Sequence, residues 1–259
     1  MERLRDRRTG GLSGSGLRLW GLVFLAAGMV GRSVLQNQLL GVGTISTQQL
    51  LEIMNASDEA MIIATVALLL QVVETCAVPV FTFLLLEGFQ HTSNFMKYFL
   101  RVLGVAVVSE LPYNFAMTGG FVDASSRNPV FAMVLGLVLL YFYKRYEGRS
   151  AQNVLVKVMV AAATLVWSVM LRVDSGVCIV VVVCVLWLFR RNPLYRNMAG
   201  ATAAVVCSLT SPLLLAAPMG FLLVHFYNET HGGGKKVINY LAYPVLLLAI
   251  GFVGKFILY

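Results

Sequence analysis

The chain has 259 residues, of which 58% are hydrophobic and only 12% charged, and it carries a formal net charge of +8. A water-soluble domain carries about twice that charged fraction, so a soluble globular fold is excluded. Backbone amides left unpaired in hydrocarbon cost several kcal/mol each, which leaves a helix bundle or a closed barrel. Long apolar runs such as 154–171 and 237–258 lack the alternation of barrel strands. The sequence therefore predicts an all-α, polytopic transmembrane helix bundle whose first partner is the lipid bilayer.

Residues 1–16 read as a basic cytoplasmic amino-terminal segment, with Arg3, Arg5, Arg7 and Arg8 ahead of a Gly/Ser spacer; residues 17–259 read as one membrane domain. Met1–Arg8 has the charge of a signal-peptide n-region. The apolar stretch that follows contains Arg32 and no clear small-residue cleavage site, so it is read as a retained first helix. About nine spans are expected, at 17–36, 60–89, 96–117, 129–146, 153–171, 176–190, 197–210, 212–227 and 237–258. A hydrocarbon core of roughly 30 Å needs about 20 helical residues, so the sixth, seventh and eighth are short and are expected to be tilted, broken or re-entrant. Between the first two spans, Thr47–Met54 is amphipathic and Asn55-Ala56-Ser57 matches the glycosylation sequon. Gly232–Gly234 with Lys235 and Lys236 reads as a flexible basic hinge.

Basic residues fall on alternate loops. One side takes the amino-terminal arginines, Lys97, Arg101, Lys144, Arg145, Arg149, Arg190, Arg191, Arg196, Lys235 and Lys236. The other holds Arg127, Arg172 and Lys255 with the acids Glu52, Asp58, Glu59, Asp123 and Asp174. Cytoplasmic retention of Lys and Arg then places the amino terminus inside and favours an odd number of spans. The positive charge is a topology signal, and no nucleic-acid partner is expected.

Ionisable groups inside spans are costly and mark a bundle interior or an aqueous cavity. Gln71 and Glu74 lie three residues apart on one face of the second span. Pro79 removes a backbone hydrogen bond and is expected to kink that helix. Glu87 and His91 share a face near its cytoplasmic end, and Glu110 precedes Pro112 in the third span. Arg32 is expected to meet Glu74 or Glu110. Two readings stay open: a paired charge that fixes helix packing, or a polar cavity of Gln71, Glu74 and Glu110 for a substrate or proton. His91 and His225 lie near the inner surface, where a soluble co-substrate arrives, whereas His231 sits in a polar loop. Cys76, Cys178, Cys184 and Cys207 lack C-x-x-C spacing and read as inert thiols, with no metal site implied.

Val78–Thr92, with the run Glu87-Gly88-Phe89-Gln90-His91-Thr92, resembles the second-helix signature of the TraX family. The likeness continues through Asn94–Arg101, Ser109–Asn114, Asn128 with Phe131 and Gly136, Asp174–Gly176, Phe226-Tyr227-Asn228 and Tyr243-Pro244. It implies an integral membrane acetyltransferase of the bacterial cytoplasmic membrane. Such an enzyme takes its acyl group from acetyl-CoA in the cytosol and delivers it to a peptide or envelope acceptor. On this reading the catalytic residues are His91, Glu87 and Glu110, and the substrate-binding residues are Gln71, Glu74, Arg101, Asn128, Asp174 and His225. Three positions depart from the family pattern: Gly28-Met29 stand where an Asp-His pair is usual, Thr75 where an Arg is common, and Leu246 where a His often follows Tyr-Pro. A non-catalytic membrane scaffold or binding subunit is therefore the alternative, with a small-molecule transporter as a third.

Overall fold

Proline, glycine and polar caps decide where the apolar runs break. The computed structural model describes residues 11–42, 47–230 and 236–256, and all regular structure among them is helical. Arg3, Arg5, Arg7, Arg8, His231, Gly232–Gly234 and Lys235 lie outside the described residues. The first span begins as α1 (Gly14–Met29), where the Ser13 hydroxyl accepts the Gly16 N–H at 3.2 Å. It continues as a π-helical stretch, Val30–Leu39, a wider coil that is rare and concentrates at functional positions. The amphipathic stretch forms α2 (Thr47–Ala56). Ser57 of the sequon caps α3 (Asp58–Glu74) by accepting the Ala60 N–H at 3.3 Å.

The second span, expected as one helix kinked at Pro79, is two helices: α3, and α4 (Ala77–His91). Pro79 cannot donate to the Thr75 carbonyl. The Val78 N–H takes that carbonyl instead, at 3.1 Å, and the tighter turn ends α3 one turn before the proline. The Thr75 hydroxyl donates to the Leu213 carbonyl at 3.2 Å, tying the break to a distant segment.

After α5 (Phe95–Thr118), α6 (Val130–Arg145) and α7 (Ala151–Met170) come the short α8 (Gly176–Leu188) and α9 (Pro193–Cys207). The eighth expected span is broken into a 3-10 helix, Pro212–Met219, and α10 (Gly220–His225). Because a 3-10 helix rises about 2.0 Å per residue, the two pieces together reach about 25 Å. Gly220 lets α10 lie on the α3–α4 break, since a Cβ there would stand 2.2 Å from the Cys76 carbonyl oxygen. The chain ends in α11 (Lys236–Phe256).

Among the described residues, four helical stretches are long and apolar enough to cross a membrane: Gly14–Leu39, Asp58–His91, Phe95–Thr118 and Ala151–Met170. Gly176–Leu188, Pro212–His225 and Tyr240–Phe256 are shorter apolar helices. Phe83, Leu86, Leu137, Leu140, Ile179 and Leu186 of α4, α6 and α8 are fully buried at the centre. In contrast, α7 turns Leu155, Val158, Met159, Val166, Trp167 and Met170 outward, an apolar perimeter suited to lipid rather than water. Among the described residues, three of the charges assigned to one side lie close together, since the Phe89 and Trp187 rings meet at 5.6 Å. Lys144 lies over Phe89, Arg190 over Trp187, and Arg196 beside Glu87.

Candidate functional site

A cavity of about 500 Å³ follows the helices lengthwise. Its lining runs from Gly14 and Arg18 of α1 to Arg32 of the π-helical stretch, and from Glu74 and Thr75 at the α3–α4 break along α4 to His91, with α5, α6, α8 and α11 closing the remaining walls. The one-turn spacing of Glu87 and His91 puts both at one end of it, the mouth, together with Arg18, Tyr98, Arg101, Tyr227 and Tyr240. Leu25, Phe81, Leu84, Val102, Val105 and Met133 line the middle. Arg32, Glu74, Asp174 and Tyr243 close the far end.

At the mouth, His91 Nδ1 stands 2.9 Å from the Glu87 carbonyl oxygen and 3.6 Å from its carboxylate. The other carboxylate oxygen of Glu87 lies 3.9 Å from the Arg196 guanidinium. Arg196 is itself buried. It packs over the Phe83 ring at 4.6 Å and donates through Nε to the Asn197 side-chain oxygen at 3.3 Å. Tyr98 crosses Gly88, where there is no side chain to block it, and donates to the Leu85 carbonyl at 3.3 Å. The chain entering α1 is pinned to the same end: the Leu12 N–H donates to Phe226 and the Asn228 N–H to Leu12. An imidazole beside a carboxylate, at a cavity end that also holds Arg18 and Arg101, brings together groups able to exchange a proton and to hold an anion.

The far end is a closed ion cluster. Arg32 donates to Glu74 at 2.7 Å and to Asp174 at 2.8 Å, and the Tyr113 hydroxyl donates to Asp174 at 3.2 Å. One cation faces two carboxylates, so the trio is formally short of one positive charge. Glu74 lies directly on Gly28, where a Cβ would stand 2.1 Å from its Oε2. Arg32 Nε and the Tyr243 hydroxyl are buried with no hydrogen-bond partner among the described residues.

Of the residues nominated from sequence, Glu74, Glu87, His91, Arg101 and Asp174 line this cavity, whereas Gln71, Glu110, Asn128 and His225 do not. Arg32 meets Glu74, as one expectation had it, but its second partner is Asp174 and not Glu110. Glu110 binds Arg127 at 2.8 Å and the Asn128 side-chain and backbone N–H groups at 2.7 and 3.2 Å, which locks the entry to α6 onto α5. The Gln71 amide turns back to the Ala67 carbonyl of its own helix at 3.1 Å. His225 is exposed, edge-on to Phe226. The polar cavity expected from Gln71, Glu74 and Glu110 thus keeps only Glu74, because the other two are occupied elsewhere. Sequence reasoning did not nominate Arg18, Arg196, Tyr98, Tyr227, Tyr240 or Tyr243. The i, i+3 spacing of Tyr240 and Tyr243 in an apolar helix was a usable signal. Arg196 was read only as a loop charge.

The replaced positions also have a place. Gly28 and Thr75 both lie at the far end of the cavity, and Leu246 stands one turn beyond Tyr243 on α11. Among the described residues, no three His, Cys, Asp or Glu side chains gather to hold a metal ion.

Neither a curated protein nor a solved structure matches the chain. The family model described as TraX protein matches residues 53–254, most of its length. That match covers α3 through all but the end of α11, including every cavity-lining residue from Glu74 onward, and the chain is a member of the TraX family.

Proposed function

We propose that this protein is a multi-pass acyltransferase of the bacterial cytoplasmic membrane. It would take an acyl group from a cytosolic acyl-CoA, acetyl-CoA in the simplest case, and pass it to an amine or hydroxyl of a peptide or other envelope acceptor. The observation that carries the reading is the Glu87–His91 pair at the cavity mouth, flanked by Arg18 and Arg101. Membership of the TraX family supports it. The gathering of basic residues at the same end supports an amino terminus inside and a mouth open to the cytosol, within the nine-span topology.

The mouth residues suit a CoA thioester. Arg18 and Arg101 are cationic donors for its phosphates, and Tyr227 and Tyr240 offer hydroxyls at the same end. The thioester supplies an activated carbonyl with a thiolate leaving group. In the tautomer that donates Nδ1–H to the Glu87 carbonyl, Nε2 is the basic nitrogen of the His91 ring. His91 takes the proton from the acceptor amine or hydroxyl as that atom bonds to the carbonyl carbon. The C–S bond then breaks, and the proton held by His91 passes to the departing thiolate. Glu87, fixed by Arg196, stabilises the imidazolium between the two transfers.

A positioned general base contributes roughly 10²–10⁴-fold. The His91→Ala variant is therefore expected to bind acetyl-CoA and to transfer its acetyl group at least about a hundredfold more slowly. Binding to the unmodified protein is expected to be saturable and to weaken as salt screens the arginines. Undiminished transfer by His91→Ala excludes the role given to this residue.

One observation favours a second reading, that of a non-catalytic binding subunit. At the far end, Glu74 fills the space beside Gly28 and Arg32 ties it down, so the positions that depart from the family pattern hold a fixed ion cluster. Co-purification in mild detergent with a stoichiometric partner, and no transfer by the protein alone or with that partner, is the outcome that would select it.

A further inference from the structure

The middle of the cavity is a ruler for hydrocarbon. Its walls are Leu25, Phe81, Leu84, Val102, Val105 and Met133, none of which donates or accepts a hydrogen bond through its side chain. Thr75, at the far edge of this belt, has already given its hydroxyl to the Val72 and Leu213 carbonyls. Two amides of a pantetheine arm laid along the belt would lose water and gain no partner, a loss of roughly tenfold or more in affinity apiece. An acetyl group alone would leave most of the 500 Å³ unfilled.

Charge bounds the belt at both ends. On one side stand Arg18, Glu87, His91 and Arg101, and on the other Arg32, Glu74 and Asp174. Between them α4 contributes Ala77 through Leu85, about 12 Å of helix, the length of an extended chain of about eight to ten carbons. A longer chain would press its methyl end against the Arg32 cluster and gain nothing from burial there.

From the apolar lining, its charged limits and the cationic mouth, we infer that the cavity binds a single medium-length acyl chain carrying an anionic head. The head lies at Arg18 and Arg101, and the chain stops short of Glu74 and Asp174. This deepens the acyltransferase reading by naming the acyl group that the site is shaped to hold.

The test is a titration of the full-length protein in lipid nanodiscs with acetyl-, butyryl-, octanoyl-, dodecanoyl- and palmitoyl-CoA. Affinity is expected to rise about fourfold per methylene up to the octanoyl ester and then to level or fall. Equal binding of acetyl- and octanoyl-CoA overturns the proposal. A climb that continues at one slope to palmitoyl-CoA also overturns it, because that is partition into lipid. Val105→Phe is expected to move the optimum to shorter chains; the series on the unmodified protein decides the matter should this variant fail to fold. Octyl phosphate separates the sources of such a ligand. Displacement of octanoyl-CoA by octyl phosphate supports a lipid-derived amphiphile, and resistance to displacement supports the CoA thioester itself. The profile reads binding and not turnover, so it stands or fails separately from the His91→Ala transfer assay.

Discussion

Arg32 is the residue on which the far end of the cavity depends, because it alone offsets two largely buried carboxylates. Removing it in Arg32→Gln leaves Glu74 and Asp174 uncompensated, and a loss of about 3–5 kcal/mol is expected. Glu74→Gln keeps the shape against Gly28 and leaves a neutral Arg32–Asp174 pair. It is expected to cost far less, and thermal unfolding of the two variants in detergent gives the order. A result with Glu74→Gln the more damaging would contradict this charge balance. Tyr243 makes the opposite case. Its buried hydroxyl has no partner among the described residues, so Tyr243→Phe is expected to raise stability by about 1 kcal/mol in the same assay. At this scale the sequence was legible where spacing along one helix decides the contact, as for Glu87 and His91. It was not legible where the partner is far along the chain: nothing local distinguishes Asp174 from Glu110 as the second acceptor for Arg32.

The elements were legible in position and less so in form. Apolar runs fixed where each helix falls, but the second span breaks at Thr75–Cys76 rather than bending at Pro79. The carbonyl that proline leaves without a donor lies one turn earlier, and tertiary contacts with Leu213 and Gly220 hold the break open. Pro212 and Pro218 in one short run were the unused sign that the eighth span would not be a regular α-helix. The tightness of that junction is testable. Gly220→Ala places a methyl against the Cys76 carbonyl and is expected to cost about 1–3 kcal/mol. Gly104→Ala, in open space on α5, is expected to change stability by no more than about 1 kcal/mol, in the favourable direction. Comparable melting shifts for the two would remove close packing as the reason for glycine at position 220.

For the molecule as a whole, composition anticipates an all-helical architecture with helices apolar enough to cross a membrane. The cavity was not legible, because it is made by faces of several helices whose mutual rotation no local pattern encodes. Its lining differs from end to end: a mouth with Glu87, His91, Arg18 and Arg101, an apolar belt, and a tied ion cluster. The nominated residues divide along that line. Glu87, His91 and Arg101 stand at the mouth, Glu74 and Asp174 at the far end, and Glu110 and Asn128 at the join between α5 and α6. The most direct test of acyl transfer at the mouth is a sided assay in proteoliposomes of known orientation, with labelled acyl-CoA supplied to one face at a time. Transfer is expected only from the face that carries the amino terminus, and only when His91 is intact. Transfer driven from the opposite face, or persisting in His91→Ala, would contradict the account.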